Sequence, residues 1–336
     1  MISTEIIFTT FNLCNYIEPP NAYYDFENIY SEKQWQIKQR WIHNYLASHK
    51  PDVIAFQEVF SIDALKQQMN ALGYTYFAVV DAPICEDDFI YSAPVVAIAS
   101  RYPISNVVGL TANEKVKALL GLAADFELKR KILRATVTLP HIGDCDCYVL
   151  HFKSKRDLIE FVADQDKPKA DNNLERAQCK VLGSWGASIQ RGTEAASLMM
   201  DVVLRRHQSQ NPVVVLGDFN TELNDGVLNH LTTDFGQSLS SKEFNQYTLY
   251  DSWNLFIDSD NNITNADRAP THYYGNKGSV LDHILFSREF DTRYAKSTFE
   301  IIAYETYDQH LISPKFEQDG YSSDHGVVSV TVTLRR

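Results

Sequence analysis

The sequence predicts a mixed α/β protein whose strands pack as two mostly antiparallel or mixed sheets with helices outside. Short Val/Ile/aromatic segments recur along the whole chain, and helical stretches separate them without strict strand–helix alternation. No repeat, low-complexity tract or linker divides the sequence, so one domain over residues 1–336 is the expectation. Hydrophobic residues make up 44% and charged residues 22%, enough apolar material for a sizeable core.

In chain order the strand segments are Glu5–Phe11, Val53–Phe56, Tyr74–Val80, Val95–Ala99, Ile132–Leu139, Cys147–Phe152, Val213–Leu216, Val280–Phe286, Phe299–Ala303 and Val327–Leu334. Their length and their β-branched or aromatic content fit buried strands. Glu32–His49 reads as a helix with Trp35, Ile42, Tyr45 and Leu46 on one face. Ser61–Leu72 reads as a second helix capped by Ser61. Asn173–His207 is a long helical stretch with breaks expected near Gly183 or Gly186 and near Gly192. The long connections Glu18–Ser31, Asp81–Ser92, Lys153–Asp171 and Asp258–Gly278 are the places to look for function.

The formal net charge of −12 gives no sign of a broad nucleic-acid-binding surface. A phosphate substrate is still compatible with it, because bound cations and a few local Lys or Arg side chains reverse the field inside a cleft. The five cysteines, Cys14, Cys85, Cys145, Cys147 and Cys179, are odd in number and scattered, which argues against a disulfide framework. Cys145 and Cys147 have no second Cys or His pair at zinc spacing and read as strand-edge thiols. No apolar run reaches the ~18 residues of a membrane span, and the N-terminus lacks a basic region followed by an apolar one. A cytoplasmic location is expected, with secretion the alternative if a leader has been removed.

Polar residues at strand tips carry the chemistry, because a strand interior tolerates no unpaired charge. The tips are Thr10-Phe11-Asn12, Phe56-Gln57-Glu58, His151-Phe152-Lys153-Ser154-Lys155, Gly217-Asp218-Phe219-Asn220, Leu281-Asp282-His283 and Ser323-Asp324-His325. Each alone reads as a solvated turn. Together and in this order they resemble the endonuclease/exonuclease/phosphatase superfamily, with Gly-Asp-Phe-Asn and Ser-Asp-His the most specific pieces, and the resemblance runs from Asn12 to His325. It implies a four-layer α/β sandwich, two central mixed, mostly antiparallel sheets flanked by helices, and a divalent-metal-dependent phosphoric ester hydrolase.

The resemblance assigns roles residue by residue. Glu58 matches the family's metal ligand, with Asn12 and Asp324 close by; Mg2+ is the implied ion, with Mn2+ or Ca2+ as alternatives. Asp218 matches the residue that orients or deprotonates water, and Asn220 a donor to phosphate. His325 matches the histidine at the scissile phosphate, Asp282 the carboxylate that fixes its tautomer, and His151 a second histidine suited to donation. Gly326 departs from the polar residue many relatives place after Ser-Asp-His, which puts a secondary metal contact in doubt. His283 reads as a wall residue. Ser100-Arg101-Tyr102 resembles a segment whose basic residue faces the cleft, so Arg101 is a substrate-binding candidate. Lys153 heads a basic run with Lys155, Arg156, Lys167 and Lys169, and Tyr273 is a candidate wall aromatic. Arg191 to Ala195 reads as structural. Tyr23, Tyr24, Phe26 and Tyr30 give the first long loop an aromatic character suited to stacking on bases.

The expected function is therefore a metal-dependent phosphodiesterase, a nuclease acting on DNA or RNA. The alternatives are a phosphatase or phosphodiesterase for a small phosphorylated metabolite or lipid head group, and a non-catalytic binding module. No exposed hydrophobic hairpin of the kind a lipid enzyme needs is evident, and no protein partner is predicted.

Overall fold

The structure, a computed structural model, describes residues 4–166, 168–232, 246–259 and 267–335. Strands are numbered along the chain. One six-stranded sheet has the order β16 (Phe299–Tyr307), β17 (Val327–Leu334), β1 (Ile6–Tyr16), β3 (Val53–Val59), β7 (Val95–Ser100) and β4 (Tyr76–Val79). The other has the order β12 (Leu249–Asp251), β15 (Asp282–Ser287), β11 (Val213–Asp218), β10 (Gly143–His151), β9 (Ile132–Leu139) and β8 (Ile104–Leu110). Within them only β1–β3 and β10–β11 pair in parallel. Every strand segment read from the sequence lies in these sheets, and Ile132–Leu139 and Val327–Leu334 keep their ends. The sequence reading missed β8 and β12. β8 is an edge strand, largely exposed from Ser105 to Val108, so no continuous apolar signal marks it.

Strand alternation divides the apolar side chains into three cores. Phe8, Ala55, Ile98, Val149, Leu216 and Ile284 meet between the two sheets. Phe11, Ile54 and Phe56 turn the other way, onto Trp41, Ile42 and Leu46 of α1 (Glu32–His49) and Leu65 and Met69 of α2 (Ile62–Ala71). Tyr148, Leu150, Val213 and Val215 pack outward onto Ala195, Leu198 and Val202. Helix, sheet, sheet, helix: the four layers follow from the period of two along each strand. Cys145 and Cys147 lie between the sheets, buried on the inner face of β10 rather than at its edge.

α1 begins with a capping box in which Ser31 and Gln34 satisfy each other's backbone amides. Ser61 does not cap α2; its hydroxyl accepts the Glu18 amide at 2.8 Å and so ties down the first long loop. The expected breaks in the long helix are absent. Lys169–Ser209 is one helix of 41 residues. Its glycines are sites of close approach: a Cβ on Gly183 would meet Asp157 and Ile159 at 2.9 Å, and one on Gly192 would meet Val227 at 3.1 Å. The helix accepts their intrinsic cost because loops pack directly on its backbone.

Glu18–Ser31 and Asp81–Ser92 are not bare loops. They contribute β2 (Ala22–Tyr23), β5 (Ile84–Glu86) and β6 (Ile90–Ser92) to a small three-stranded sheet. Asp258–Gly278 lies partly outside the described residues, and its end forms a hairpin of β13 (His272–Tyr274) and β14 (Lys277–Ser279).

Gly217 shows why the Gly-Asp-Phe-Asn segment starts as it does. A Cβ there would run into the backbone carbonyl of Leu150 on the neighbouring strand. Gly217→Ala is expected to destabilise the protein by about 1–3 kcal/mol or more, because rigid backbone must move. A fall in the urea midpoint with unchanged slope would report it.

Candidate active site

The two parallel pairings place the strand tips. β1 against β3 sets Asn12 beside Gln57, while β10, β11 and β15 set His151, Asp218 and Asp282 in one row. β1 and β3 then leave their register together, between Asn12 and Tyr16 on one strand and between Phe56 and Val59 on the next partner. In the gap Cys14, Asn15 and Glu58 all take left-handed backbone, with φ of 51°, 56° and 62°. Such irregularities re-aim a side chain at the cost of local strain. The Glu58 carboxylate accepts the Asn15 amide at 2.9 Å, which locks the two irregular turns to each other.

Asp218 is the centre of the row. One oxygen accepts the Asn220 amide at 2.8 Å. The other accepts Asn12 Nδ2 at 3.1 Å and faces His151 Nε2 at 3.4 Å and His325 Nε2 at 3.9 Å. His325 Nδ1 lies 2.8 Å from Asp282 Oδ2, and the His325 amide donates to Ser323 Oγ at 3.0 Å. The Ser323 hydroxyl in turn donates to the Asn12 carbonyl at 2.6 Å, so the last motif is tied to the first across the chain.

Burial sets the charge states. It lifts the Asp218 carboxyl to about 7; the His325 charge opposes this, and the nearby Asp282 and Glu58 charges add to it. Burial alone would also discharge His325, but Asp282 and Asp218 hold its imidazolium well above the usual histidine range. His151 goes the other way: burial, with the charges of Arg130 and His325, pushes it well below that range. His151 and Asp218 are therefore a neutral imidazole facing a carboxyl, not an ion pair.

The structure brings Asn12, His151, Asp218, Asn220, Asp282 and His325 together through these contacts. Glu58 and Asp324 converge on Cys14: burial pushes that thiol up to about 12, and both carboxylates add to the shift. Asn220, at φ 55°, donates its side-chain amide to the Phe152 carbonyl at 2.9 Å. Lys153 lies next to the row, but its ammonium turns back onto the carbonyls of Ser154 and Arg156. Tyr273 gives its hydroxyl to Asp308 at 3.2 Å, and its strand neighbour His272 is the residue that reaches His325, with ring centroids 5.1 Å apart. Lys167 lies outside the described residues.

Arg101 is not brought to the site. β7 runs antiparallel to β3, so Ser100 pairs with Val53, at the end of the sheet away from Glu58. There Arg101 stacks on Tyr74 at 4.4 Å and donates to the Pro51 carbonyl. His283 is buried, with Nε2 3.2 Å from the Thr221 carbonyl and its ring edge-on to Phe219. Arg191 also has a structural contact, donating to the Lys153 carbonyl at 3.0 Å.

Two cations near the site were not found by sequence reasoning. Arg130 lies close enough to Tyr24, His151 and Lys153 for its charge to shift all three. It belongs to no motif, and only the pairing of the second sheet brings it there. Lys38, on the buried face of α1, donates to the carbonyls of Tyr321 and Ser322 at 3.4 and 3.1 Å, just before Ser323-Asp324-His325. A lysine among apolar helix positions signalled it, because a fully buried lysine needs partners.

The residues fit a hard divalent ion. Carboxylates of Asp218, Asp282 and Asp324 gather around one imidazolium, Glu58 lies near enough to Asp218 for its charge to act on it, and Asp282 Oδ1 is buried without a partner. Oxygen donors with surplus negative charge suit Mg2+, which needs one or two carboxylates and keeps several waters. Among the described residues, two compact groups of ligand atoms lie within 4.8 Å: Asp218, Asp282 and His325, and His272, Asp324 and His325. Glu58 is in neither.

The same shifts fix how the metal-free protein responds to pH. Asp218 binds its proton more tightly folded than unfolded, so folding stability falls as pH rises between about 4, the unfolded value, and about 7. His325, also raised, contributes stability below about 6.5 that is lost as pH rises further. Below about 6.5 the buried neutral His151 and His283 act in the opposite sense, gaining stability as pH rises, so thermal melts in a chelator should show a decline above about pH 7, as His325 loses its proton, that is shallower in Asp218→Asn. A flat wild-type profile would contradict the charge states given above.

The sequence profile of the Endonuclease/Exonuclease/phosphatase family matches residues 10–325. Sequence comparison with curated proteins gives no match. Solved structures with a similar fold include the human Nocturnin catalytic domain with bound sulfate, 15% identical with a TM-score of 0.55, covering 99% of this chain and 96% of that one. A truncated Caenorhabditis elegans TDP2 is 12% identical, with a TM-score of 0.56 and coverage of 98% and 97%. An AP endonuclease from Archaeoglobus fulgidus is 12% identical, with a TM-score of 0.51 and coverage of 97% and 98%. At these identities the likeness concerns the fold.

Proposed function

The chain belongs to the endonuclease/exonuclease/phosphatase family, a group of metal-dependent phosphoesterases, and from that premise we propose that it hydrolyses phosphodiesters of nucleic acid by in-line attack of water. The observation that supports this reading best is the row centred on Asp218, with His151 on one side and the His325–Asp282 pair on the other.

Asp218, raised to about 7, is a proton acceptor matched to neutral pH, and its Oδ2 faces both histidines. It takes the proton from the attacking water. His325 is held charged and oriented by Asp282, and offers Nε2 to a phosphate oxygen as negative charge develops. His151, neutral, donates a hydrogen bond to phosphate or to the leaving oxygen. A divalent ion held by Glu58, Asn12 and Asp324 would neutralise phosphate charge and polarise the ester.

Nucleic acid as the substrate class rests on the rim. Tyr24 and Phe26 are 50% and 62% exposed, Arg130 lies beside Tyr24, and Lys155 and Arg156 are exposed just past His151. Exposed rings can stack on bases, and free cations can contact phosphates beyond the scissile one. The net charge of −12 favours the second reading, a small phosphoester held only at its one phosphate.

Salt dependence separates the two. For a single-stranded substrate, replacing Arg130, Lys155 and Arg156 with Ala should flatten the log–log salt slope of binding by roughly 2 units, ~0.7 for each lost contact. KM should rise more than kcat falls. A shallow slope for the best substrate, unaffected by the triple change, would favour the small phosphoester.

A further inference from the structure

We propose that His272, Asp324 and His325 form a further cation site, sharing Asp324 with the ion assigned to Glu58 and Asn12, for a transition cation of the Zn2+ class, and that its occupation switches hydrolysis off by capturing His325. The binding site stands on geometry alone; its inhibitory effect rests on the role given to His325 above.

The three residues present one ligand atom each within 4.8 Å of one another. They come from two segments clamped together. His272 and His325 form an antiparallel bridge, and the Gly326 amide donates to the Thr271 carbonyl at 2.6 Å. The Thr271 hydroxyl accepts the amides of Leu281 and Asp282, fixing the base of the His272 hairpin. His310 Nε2 lies 2.9 Å from the His325 carbonyl and holds the other segment. The arrangement is therefore set before any ion arrives, which lowers the cost of ordering the ligands.

The donor types choose the ion. Two imidazoles and a carboxylate suit Zn2+ and its neighbours, whereas Mg2+ and Ca2+ prefer oxygen. Asp282 already accepts from His325 Nδ1, leaving Nε2 as the ligand nitrogen, which is the carboxylate–histidine pattern that orients metal-binding imidazoles. Binding forms a metal–Nε2 bond and releases the Nε2 proton to solvent, while the Nδ1–H bond to Asp282 persists. Asp324 is exposed and His272 half-exposed, so an ion can enter from solvent. The other compact group, Asp218, Asp282 and His325, is fully buried, and both Asp218 oxygens and Asp282 Oδ2 are already engaged by Asn220, Asn12 and His325, which leaves only Asp282 Oδ1 without a partner.

The test is calorimetric titration of the metal-free full chain with Zn2+, in the presence and absence of excess Mg2+, repeated with Co2+ for its absorption spectrum. One equivalent should bind, with excess Mg2+ displacing it poorly, and bound Co2+ should show the intense visible bands of low coordination number. His272→Gln should weaken Zn2+ binding by ~10-fold or more, as loss of a metal-site contact does. Its unchanged melting temperature in chelator would show that it folds, and Asp324→Asn provides an independent weakening. No stoichiometric binding, or equal affinity in folded His272→Gln, overturns the site. In the activity arm, Zn2+ should inhibit Mg2+-supported hydrolysis, and His272→Gln should resist inhibition when each protein is compared with its own zinc-free rate. Zinc binding at His272 without inhibition overturns the capture of His325. A chain with no hydrolytic activity would refute the function proposed above, and calorimetry would still decide the site.

Discussion

Asp218→Asn should lower phosphodiesterase turnover by about 10²–10⁴-fold, the range a positioned proton acceptor contributes, while the protein still folds. The amide keeps an oxygen for the Asn220 amide, which Asp218 accepts at 2.8 Å, so that turn survives, although the contact from Asn12 Nδ2 to the other oxygen is lost. What is lost is the carboxylate opposite His151 and His325, and with it both the proton acceptor and part of the charge that keeps His325 cationic. His325→Ala should cost a similar factor, and the double variant should be little worse than either single one, because the groups serve one step. Pre-steady-state rates on a single substrate would measure this. Strictly multiplicative losses would show that the two act in different steps.

Glu58→Gln should remove most metal-supported activity and weaken Mg2+ binding, since a neutral amide replaces the main carboxylate ligand assigned to the ion. The Asn15 amide can still donate to the new side-chain oxygen, so the paired irregular turns of β1 and β3 should persist. Two readouts separate the outcomes. The thermal shift produced by Mg2+ should shrink sharply, and activity should recover only partly at high Mg2+. A folded variant with normal activity at ordinary Mg2+ would remove Glu58 from the metal site.

The local pattern of residues determined much about this protein. The length and β-branched content of the apolar segments specified strands such as Ile132–Leu139 to the residue, because a strand buried on both faces needs such side chains. Trp35, Ile42, Tyr45 and Leu46 on one face specified α1, with its capping box adjoining. The strand-tip motifs named the candidate residues, since a charge at the end of a buried strand must find a rim. Where composition was ambiguous the sequence misled: glycine in the helix Lys169–Ser209 signalled a break, but tertiary packing used it for close approach.

Tertiary structure alone decided which tips meet. Strand register joins residues far apart in the chain, and nothing local encodes it. The pairing of β11 with β10 and β15 assembles His151, Asp218 and Asp282, while the antiparallel run of β7 carries Arg101 to the opposite end of its sheet. The same non-local pairing delivers Arg130 to His151 and His272 to His325, two neighbours that no motif announced. It also sets the charge states. A carboxyl is raised and a histidine held charged or neutral by burial and by the neighbours that folding supplies, so the sequence determined which side chains were available and the fold determined which of them carry charge.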